Sequence, residues 1–211
     1  MSATACVGAL MAGGSARRFA GVPKGLAVVD GVRIADRAMA ALSDTTERQI
    51  IVANDERAAG WFPGATIVGD DQTGVGPLAG LRTALAAADG SPVLVLAWDM
   101  PFVSGPLLRA LRALGESGAS AVAPAHGDPA MLEPMCAYYA PEALELCDRL
   151  LAGGERRAHA LFDALSGALR LEGESLEAFG DTARLLRSVD SVESLAALGG
   201  TLPSGYDSAR R

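Results

Sequence analysis

The sequence predicts an α/β protein: a single three-layer, doubly wound, mostly parallel sheet, with a small antiparallel element in its second half. Three observations carry this expectation. Short apolar runs alternate with stretches of helical periodicity, the pattern of βαβ units. One run, Val93-Leu94-Val95-Leu96-Ala97, is apolar throughout and bounded by Pro92 and Pro101, as a buried strand should be. The chain has 211 residues, half of them hydrophobic and a fifth charged, enough for one domain that needs neither disulfides nor a structural metal.

In chain order, residues 6–11 read as a strand and 34–42 as a helix. Residues 49–53 form a second strand and 65–68 a short third, followed by a Gly-rich loop and a helix over 78–88. The apolar run 93–97 is followed by a helix over 105–114 and a strand over 119–123, with right-handed crossovers between parallel strands. The second half is less regular. Residues 134–139 read as a strand antiparallel to the others, and 141–151 as a helix with Pro141 in its first turn. A helix over 155–165, a strand over 168–172 and a helix over 192–198 complete the domain, taken as residues 1–198. Residues 199–211, rich in Gly, Pro, Ser and Arg, are expected to be a disordered tail.

Charge narrows the partners. A net charge of −7 argues against coating nucleic acid or an anionic membrane, both of which need a broad basic face. It leaves room for a small anionic ligand held by a few local cations. Cys6, Cys136 and Cys147 have no metal-binding spacing, and with only His126 and His159 a zinc site is not expected. Both histidines read as structural or solvated. No run of 18 apolar residues and no basic-then-apolar N-terminal layout occurs, so a cytoplasmic protein is expected. Of the 18 basic residues 17 are Arg; the single lysine, Lys24, marks a place where a compact ammonium is needed rather than a planar fork.

In open α/β sheets ligands bind beyond the carboxyl ends of the strands, so the segments just after each strand carry the functional reading. After the first strand comes Ala12-Gly13-Gly14-Ser15-Ala16-Arg17-Arg18-Phe19-Ala20-Gly21-Val22-Pro23-Lys24-Gly25. Adjacent glycines let backbone N–H groups approach a phosphate, and the cations match its charge. Lys24 is followed by Gly25, so this is no Walker A loop, and the paired glycines do not fit the dinucleotide fingerprint. After the third strand, Gly69-Asp70-Asp71 leads to Gly76-Pro77 at a helix start. Asp99 directly follows the buried strand, where one carboxylate with phosphate oxygens and water would suit Mg²⁺; beside it, Trp98 reads as a packing residue.

The A-G-G-x-x-x-R pattern ending at Arg18, with Lys24 ten residues after Gly14, resembles the signature loop of the MobA-like NTP-transferase family. Within that family the stretch GALMAGGSARRFAGVPKGL is most similar to the molybdenum cofactor guanylyltransferases, which join GMP from GTP to molybdopterin cofactor and release pyrophosphate. The resemblance implies a nucleotide-diphospho-sugar-transferase-like Rossmann variant. It implies that the backbone of Met11, Ala12 and Gly13 borders the nucleotide, that Gly14 to Arg18, including Ser15 and Arg17, wrap the triphosphate, and that Lys24 and Arg18 act in catalysis. Asp70, and Asn54 after the second strand, would contact the base beside the G-P-L-A-G segment ending at Gly80. Asp99 matches the family's D-x-P-[FY] as the Mg²⁺ ligand. Glu133-Pro134-Met135-Cys136-Ala137-Tyr138-Tyr139 is similar to the segment before the acceptor-side helices, and Gly154-Glu155-Arg156-Arg157 to the family's G-E-R-R, which would place Arg156 and Arg157 on the acceptor.

The chain also departs from the family. Pro23 stands where an Asp usually precedes the lysine, and Phe19-Ala20-Gly21 replaces R-M-G. Ser188-Val189-Asp190 replaces an N-x-N sequence, and Asp190 is expected as a second metal ligand, as in related nucleotidyltransferases. Implied partners are GTP, molybdopterin cofactor, and proteins that deliver the cofactor or accept the product. CTP or another phosphorylated acceptor remains an alternative, as does a non-catalytic nucleotide-binding protein.

Overall fold

The structure is a computed structural model that describes residues 5–13, 19, 22–69 and 75–203. Its central strand is β1 (Val7–Met11), flanked in parallel by β4 (Arg48–Val52) and β6 (Val93–Ala97). The register pairs Met11 with both Val52 and Ala97, so the three strands end level and their following loops open on one edge. β5 (Ile67–Val68) extends the sheet beyond β4. On the other side β9 (Cys136–Tyr139) runs antiparallel to both β6 and β7 (Ala121–His126), and β10 (Leu169–Leu171) closes the order β10-β7-β9-β6-β1-β4-β5. β8 (Met131–Leu132) folds back on the end of β7. The fold is thus the expected mostly parallel sheet, with its antiparallel element in the second half.

Side chains alternate across the strands, and each face gathers its own core. Leu10, Ile51, Leu94 and Leu96 face α1 (Ile34–Ser43) and α4 (Gly105–Glu116) through Ala38, Leu42, Leu107 and Leu111. Ala9, Ile50, Val93 and Val95 face α3 (Pro77–Ala87), α5 (Ala143–Ala152) and α6 (Ala158–Ala164) through Leu81, Cys147 and Phe162. All three cysteines are free and buried.

Several boundaries differ from the sequence reading. Pro141 lies in the turn before α5, not in its first turn. The helix expected from residue 155 begins at Ala158, so Arg156 and Arg157 sit in the preceding connection, with Arg157 still extended (φ −90, ψ 130). β7 starts later than expected and runs through Pro124, whose missing N–H is tolerated there while its carbonyl accepts from Glu133 N–H at 2.9 Å. A two-stranded hairpin, β2 (Val28–Val29) and β3 (Val32–Arg33), was not anticipated although its turn is signalled in the sequence. Asp30 and Gly31 both have positive φ (51° and 76°), as an Asp-Gly hairpin turn requires. Short helices α2 (Ala58–Trp61), α7 (Glu174–Glu177) and α8 (Thr182–Leu185) were also unanticipated.

The chain end bears on the site. After α9 (Val192–Ala196), Thr201 exchanges two 2.8 Å backbone hydrogen bonds with Val28. Thr201 falls inside the tail expected to be disordered; the pairing with β2 fixes it. Phe19, Val22, Val29, Ile34, Val189 and Leu195 form a third apolar cluster beneath this bracket. That cluster joins the hairpin after Lys24 to the segment carrying Asp190.

Candidate functional site

The level ends of β1, β4 and β6 form the floor of a cavity of about 860 Å³. Backbone hydrogen bonds continue past the strand ends: Ala12 N–H donates to Val52 at 2.9 Å, and Trp98 N–H to Met11 at 3.3 Å. Met11, Ala12, Gly13, Asn54, Gly80 and Asp99 all line the cavity, as the sequence reading expected of them. Gly80 is there because α3 lies against β1: a Cβ at this position would stand 3.1 Å from the Met11 methyl. Gly14, Ser15, Arg17, Arg18 and Asp70 lie outside the described residues.

Lys24 reaches the cavity from a 3-10 turn (Lys24–Leu26) that Pro23 initiates, its carbonyl accepting from Leu26 N–H at 3.0 Å. Gly25 is required by packing. A Cβ there would sit 2.4 Å from Trp98 Cε3, and Trp98 is itself stacked on Trp61 at 5.7 Å. The turn therefore presses against an aromatic pair and directs its one long side chain over the sheet edge. Lys24 Nζ lies 2.6 Å from Asp190 Oδ1 and 3.3 Å from Asp99 Oδ2. Asp190 is brought in by Val189 N–H, which donates to the Asp99 carbonyl at 2.8 Å. The ammonium and Asp99 are largely enclosed (16% and 15% exposed), while Asp190 is open to solvent at 57%.

The two charges respond differently to this environment. Burial pushes the Lys24 ammonium down, but its hydrogen bond to Asp190 and the charges of both carboxylates outweigh it, and the net direction is up. Burial pushes the Asp99 carboxyl up; Lys24 opposes this, and the neighbouring Asp190 charge adds to it. One ammonium serves two carboxylates, so Lys24 gains more from the cluster than Asp99 does.

Asp99 and Asp190 converge on one point from two segments, now taken by the ammonium. Two carboxylates completed by phosphate oxygens and water fit a Mg²⁺ ion. Among the described residues no group of three or more His, Cys, Asp or Glu could hold a metal, so substrate oxygens would have to complete its shell.

The residues placed on the acceptor by resemblance behave otherwise. Arg156 and Arg157 are not among the residues lining the cavity. Arg157 forms a two-pronged pair with Glu155 at 2.9 and 2.7 Å, and this pairing holds the Glu155 carboxyl well below the usual carboxylate range. Arg156 contributes its backbone: its carbonyl accepts from Leu78 N–H at 3.1 Å, at the first turn of α3. Gly76, with φ of 129°, lies under it, where a Cβ would meet that carbonyl oxygen at 2.9 Å. The G-P-L-A-G segment and the G-E-R-R segment are thus locked together at the rim.

Sequence reasoning did not place Asp55, Arg57, Trp61, Glu133, Met135 or Ser188 in the site, although all line the cavity. Arg57 stacks on Trp61 at 5.6 Å and pairs with Asp55. Glu133 could have been found from the antiparallel direction of β9: a strand running the other way begins, rather than ends, at the ligand edge.

Comparison with known proteins agrees with this geometry. The family model of the MobA-like NTP transferase domain matches residues 8–169. A probable molybdenum cofactor guanylyltransferase of Chloroflexus aggregans is 32% identical over 190 residues, covering 89% of this chain and 90% of that protein. One of Opitutus terrae is also 32% identical, over 78% of this chain and 81% of its own length. Among solved structures, molybdopterin-guanine dinucleotide biosynthesis protein A of Archaeoglobus fulgidus superposes with a TM-score of 0.75 at 26% identity, covering 91% of this chain and 96% of that one. No helix among the described residues is long and apolar enough to cross a membrane.

Proposed function

The chain belongs to the MobA-like NTP transferase family, and we propose that it is a guanylyltransferase that transfers GMP from GTP to molybdopterin cofactor. The observation that carries this reading is the convergence of Lys24, Asp99 and Asp190 at the edge of a cavity framed by level parallel strands. That arrangement suits a ligand with concentrated negative charge and a divalent cation. The relatives named above supply the choice of base and acceptor.

In the proposed reaction a phosphate oxygen of the acceptor attacks the α-phosphorus of GTP. A new P–O bond forms, the bond from the α-phosphorus to the α,β-bridging oxygen breaks, and pyrophosphate leaves with that electron pair. Bound Mg²⁺, held by Asp99 and Asp190, would neutralise phosphate charge. Lys24 leaves its two carboxylates for the triphosphate and stays cationic there, supplying fixed positive charge as charge builds on the leaving pyrophosphate. The backbone at Met11, Ala12 and Gly13 borders the nucleotide, with Asn54 beside the base; the family resemblance would add Gly14, Ser15, Arg17 and Arg18 for the phosphates and Asp70 for the base, all outside the described residues. No side chain need act as a nucleophile, because the acceptor brings its own.

Pyrophosphate release by the purified protein with Mg²⁺ and each of the four NTPs, with and without molybdopterin cofactor, tests the reading. Release with GTP that requires the cofactor is expected. A preference for CTP would reassign the base. Nucleotide binding without release under any condition would leave a binding protein.

A further inference from the structure

We propose that the Glu133 carboxylate recognises the acceptor by receiving paired N–H donors from a 2-amino-4-oxopyrimidine edge, the edge that a pterin presents through its ring N–H and exocyclic amino group. The proposal deepens the reading above and rests on it for the identity of the acceptor.

The argument starts from how firmly Glu133 is held. Its N–H donates to the Pro124 carbonyl at 2.9 Å. The next carbonyl, Pro134, accepts from the buried Tyr139 hydroxyl at 2.9 Å, and the one after, Met135, accepts from Ala97 N–H at 2.7 Å. Three anchors on three strands fix a segment that would otherwise be a surface loop. Glu133 lines the cavity with its side chain 24% exposed, and His126 Nε2 lies 3.3 Å from Oε1. No hydrogen bond to Oε2 is present among the described residues.

The other cavity carboxylates have cationic partners: Asp55 has Arg57, and Asp99 and Asp190 share Lys24. Glu133 belongs to no group able to hold a metal with them. A further negative charge near a phosphate site would repel substrate, unless it faces a part of the ligand that offers hydrogens. Burial pushes the Glu133 carboxyl up, against His126, with Asp99 and Asp190 pushing further; two N–H donors would favour the ionised form and relieve this.

Guanine carries the same edge as a pterin, so position must choose between them. β9 lies on the opposite side of β6 from β1 and β4. A nucleotide that spans the β1 and β4 loops with its phosphates at Asp99 leaves the β9 side for the second substrate. Glu133 is on that side, next to the end of β6, because β9 pairs Cys136 with Leu96.

The test compares binding of pterin and lumazine, which has an oxygen in place of the 2-amino group, to the full-length protein by fluorescence, with GTP binding measured in parallel. The wild-type protein is expected to prefer pterin by about 10- to 100-fold, the range set by hydrogen bonds to a charged group. Glu133→Gln, which keeps the shape, should bring the ratio to within about twofold and leave GTP binding unchanged. Glu133→Asp should fall between. Equal binding of pterin and lumazine by the wild type, no pterin binding at all, or a preference that survives in Glu133→Gln, would each overturn the proposal. A loss of GTP binding with pterin binding unchanged would give Glu133 to guanine and overturn it too. Pterin discrimination through Glu133 in a protein that releases no pyrophosphate would sink the proposed function and leave this inference standing.

Discussion

On the β1–β4–β6 side of the cavity Ala12, Gly13, Asn54 and Asp99 lie within two residues of the end of a parallel strand, whereas on the β9 side Glu133 precedes an antiparallel one, in a segment held by two backbone hydrogen bonds and one from the Tyr139 hydroxyl. The parallel side needs little else to aim these residues: Met11, Val52 and Ala97 end in register, and the residues just after them reach the ligand edge. The antiparallel side has to anchor its loop to Pro124, Ala97 and Tyr139 to reach the same edge. One side is therefore positioned by topology and the other by particular hydrogen bonds. The two should fail differently when mutated.

The largest effect is expected on the parallel side. Asp99→Asn removes a charge that Lys24 pairs with and that, on the proposed function, a bound cation depends on. Loss of several kcal/mol of charge stabilisation corresponds to a fall in turnover of about a thousandfold. GTP binding without Mg²⁺ should change far less. Turnover within tenfold of wild type would mean that Asp99 does not hold the metal, and would remove the functional distinction between the two sides.

Lys24 comes next and sharpens the comparison, because on the proposed function it competes with the metal for Asp99 and Asp190 before it serves the phosphates. Lys24→Ala should lower turnover by about a hundredfold, in the range found when one charged donor at a transition state is removed. The same change should tighten Mn²⁺ binding in the absence of nucleotide, read by electron paramagnetic resonance, because the ammonium no longer stands between Asp99 and Asp190. Weaker Mn²⁺ binding in the variant would show that the carboxylate pair is not the metal site. In the wild type the folded-state ammonium titrates higher than in the unfolded chain, so Lys24 contributes stability that is fully present below the ordinary lysine range. That contribution fades as pH rises through the raised value.

Two glycines allow a matched test of packing. Gly25 lies against Trp98 at the cavity edge, and Gly115 in α4 lies against Tyr138 of β9, away from it; a Cβ would meet the rings at 2.4 and 2.2 Å. Each Gly→Ala change should cost about 1–3 kcal/mol by overpacking, seen as a drop of several degrees in Tm. Only Gly25→Ala should also reduce turnover per folded molecule, since it displaces the turn that carries Lys24. Equal losses of turnover in both would mean that the whole sheet, not the turn, sets the geometry.

The same contrast explains what was legible in the sequence. Most strands and helices follow from apolar periodicity, and Asp99 follows from the rule that ligands sit beyond strand ends, while Met11 and Asn54 came through resemblance to the family. Lys24 stood out as the only lysine, but its link to Asp190 across 166 positions is a finding of the structure, because the resemblance offered Asp190 only as a second metal ligand beside Asp99. Glu133 escaped because its place depends on strand direction and on distant backbone partners, neither of which periodicity records. The β2–β3 hairpin escaped because its strands are two residues long, although Asp30-Gly31 spelled out the turn. Thr201 escaped because composition predicts a loose tail, while a single pairing with Val28 holds it.

The smallest effect is expected at Arg157, where the family resemblance and the geometry point apart. Its guanidinium is exposed, outside the cavity, and committed to Glu155. That pair holds Glu155 well below its ordinary range, so any stability it gives is present above the unfolded carboxyl value and lost as pH falls through the lowered one. Solvent screens such a pair, and Arg157→Ala should leave Tm indistinguishable from wild type. The lock at this rim runs instead through the Arg156 carbonyl and Gly76, which a side-chain change at Arg157 does not touch. The KM for acceptor should accordingly rise by less than about threefold, as for other rim charges in water. A rise of tenfold or more, with GTP binding unchanged, would show that Arg157 leaves Glu155 for the acceptor. The antiparallel side would then use a second charged group beside Glu133, one that only the bound state assembles.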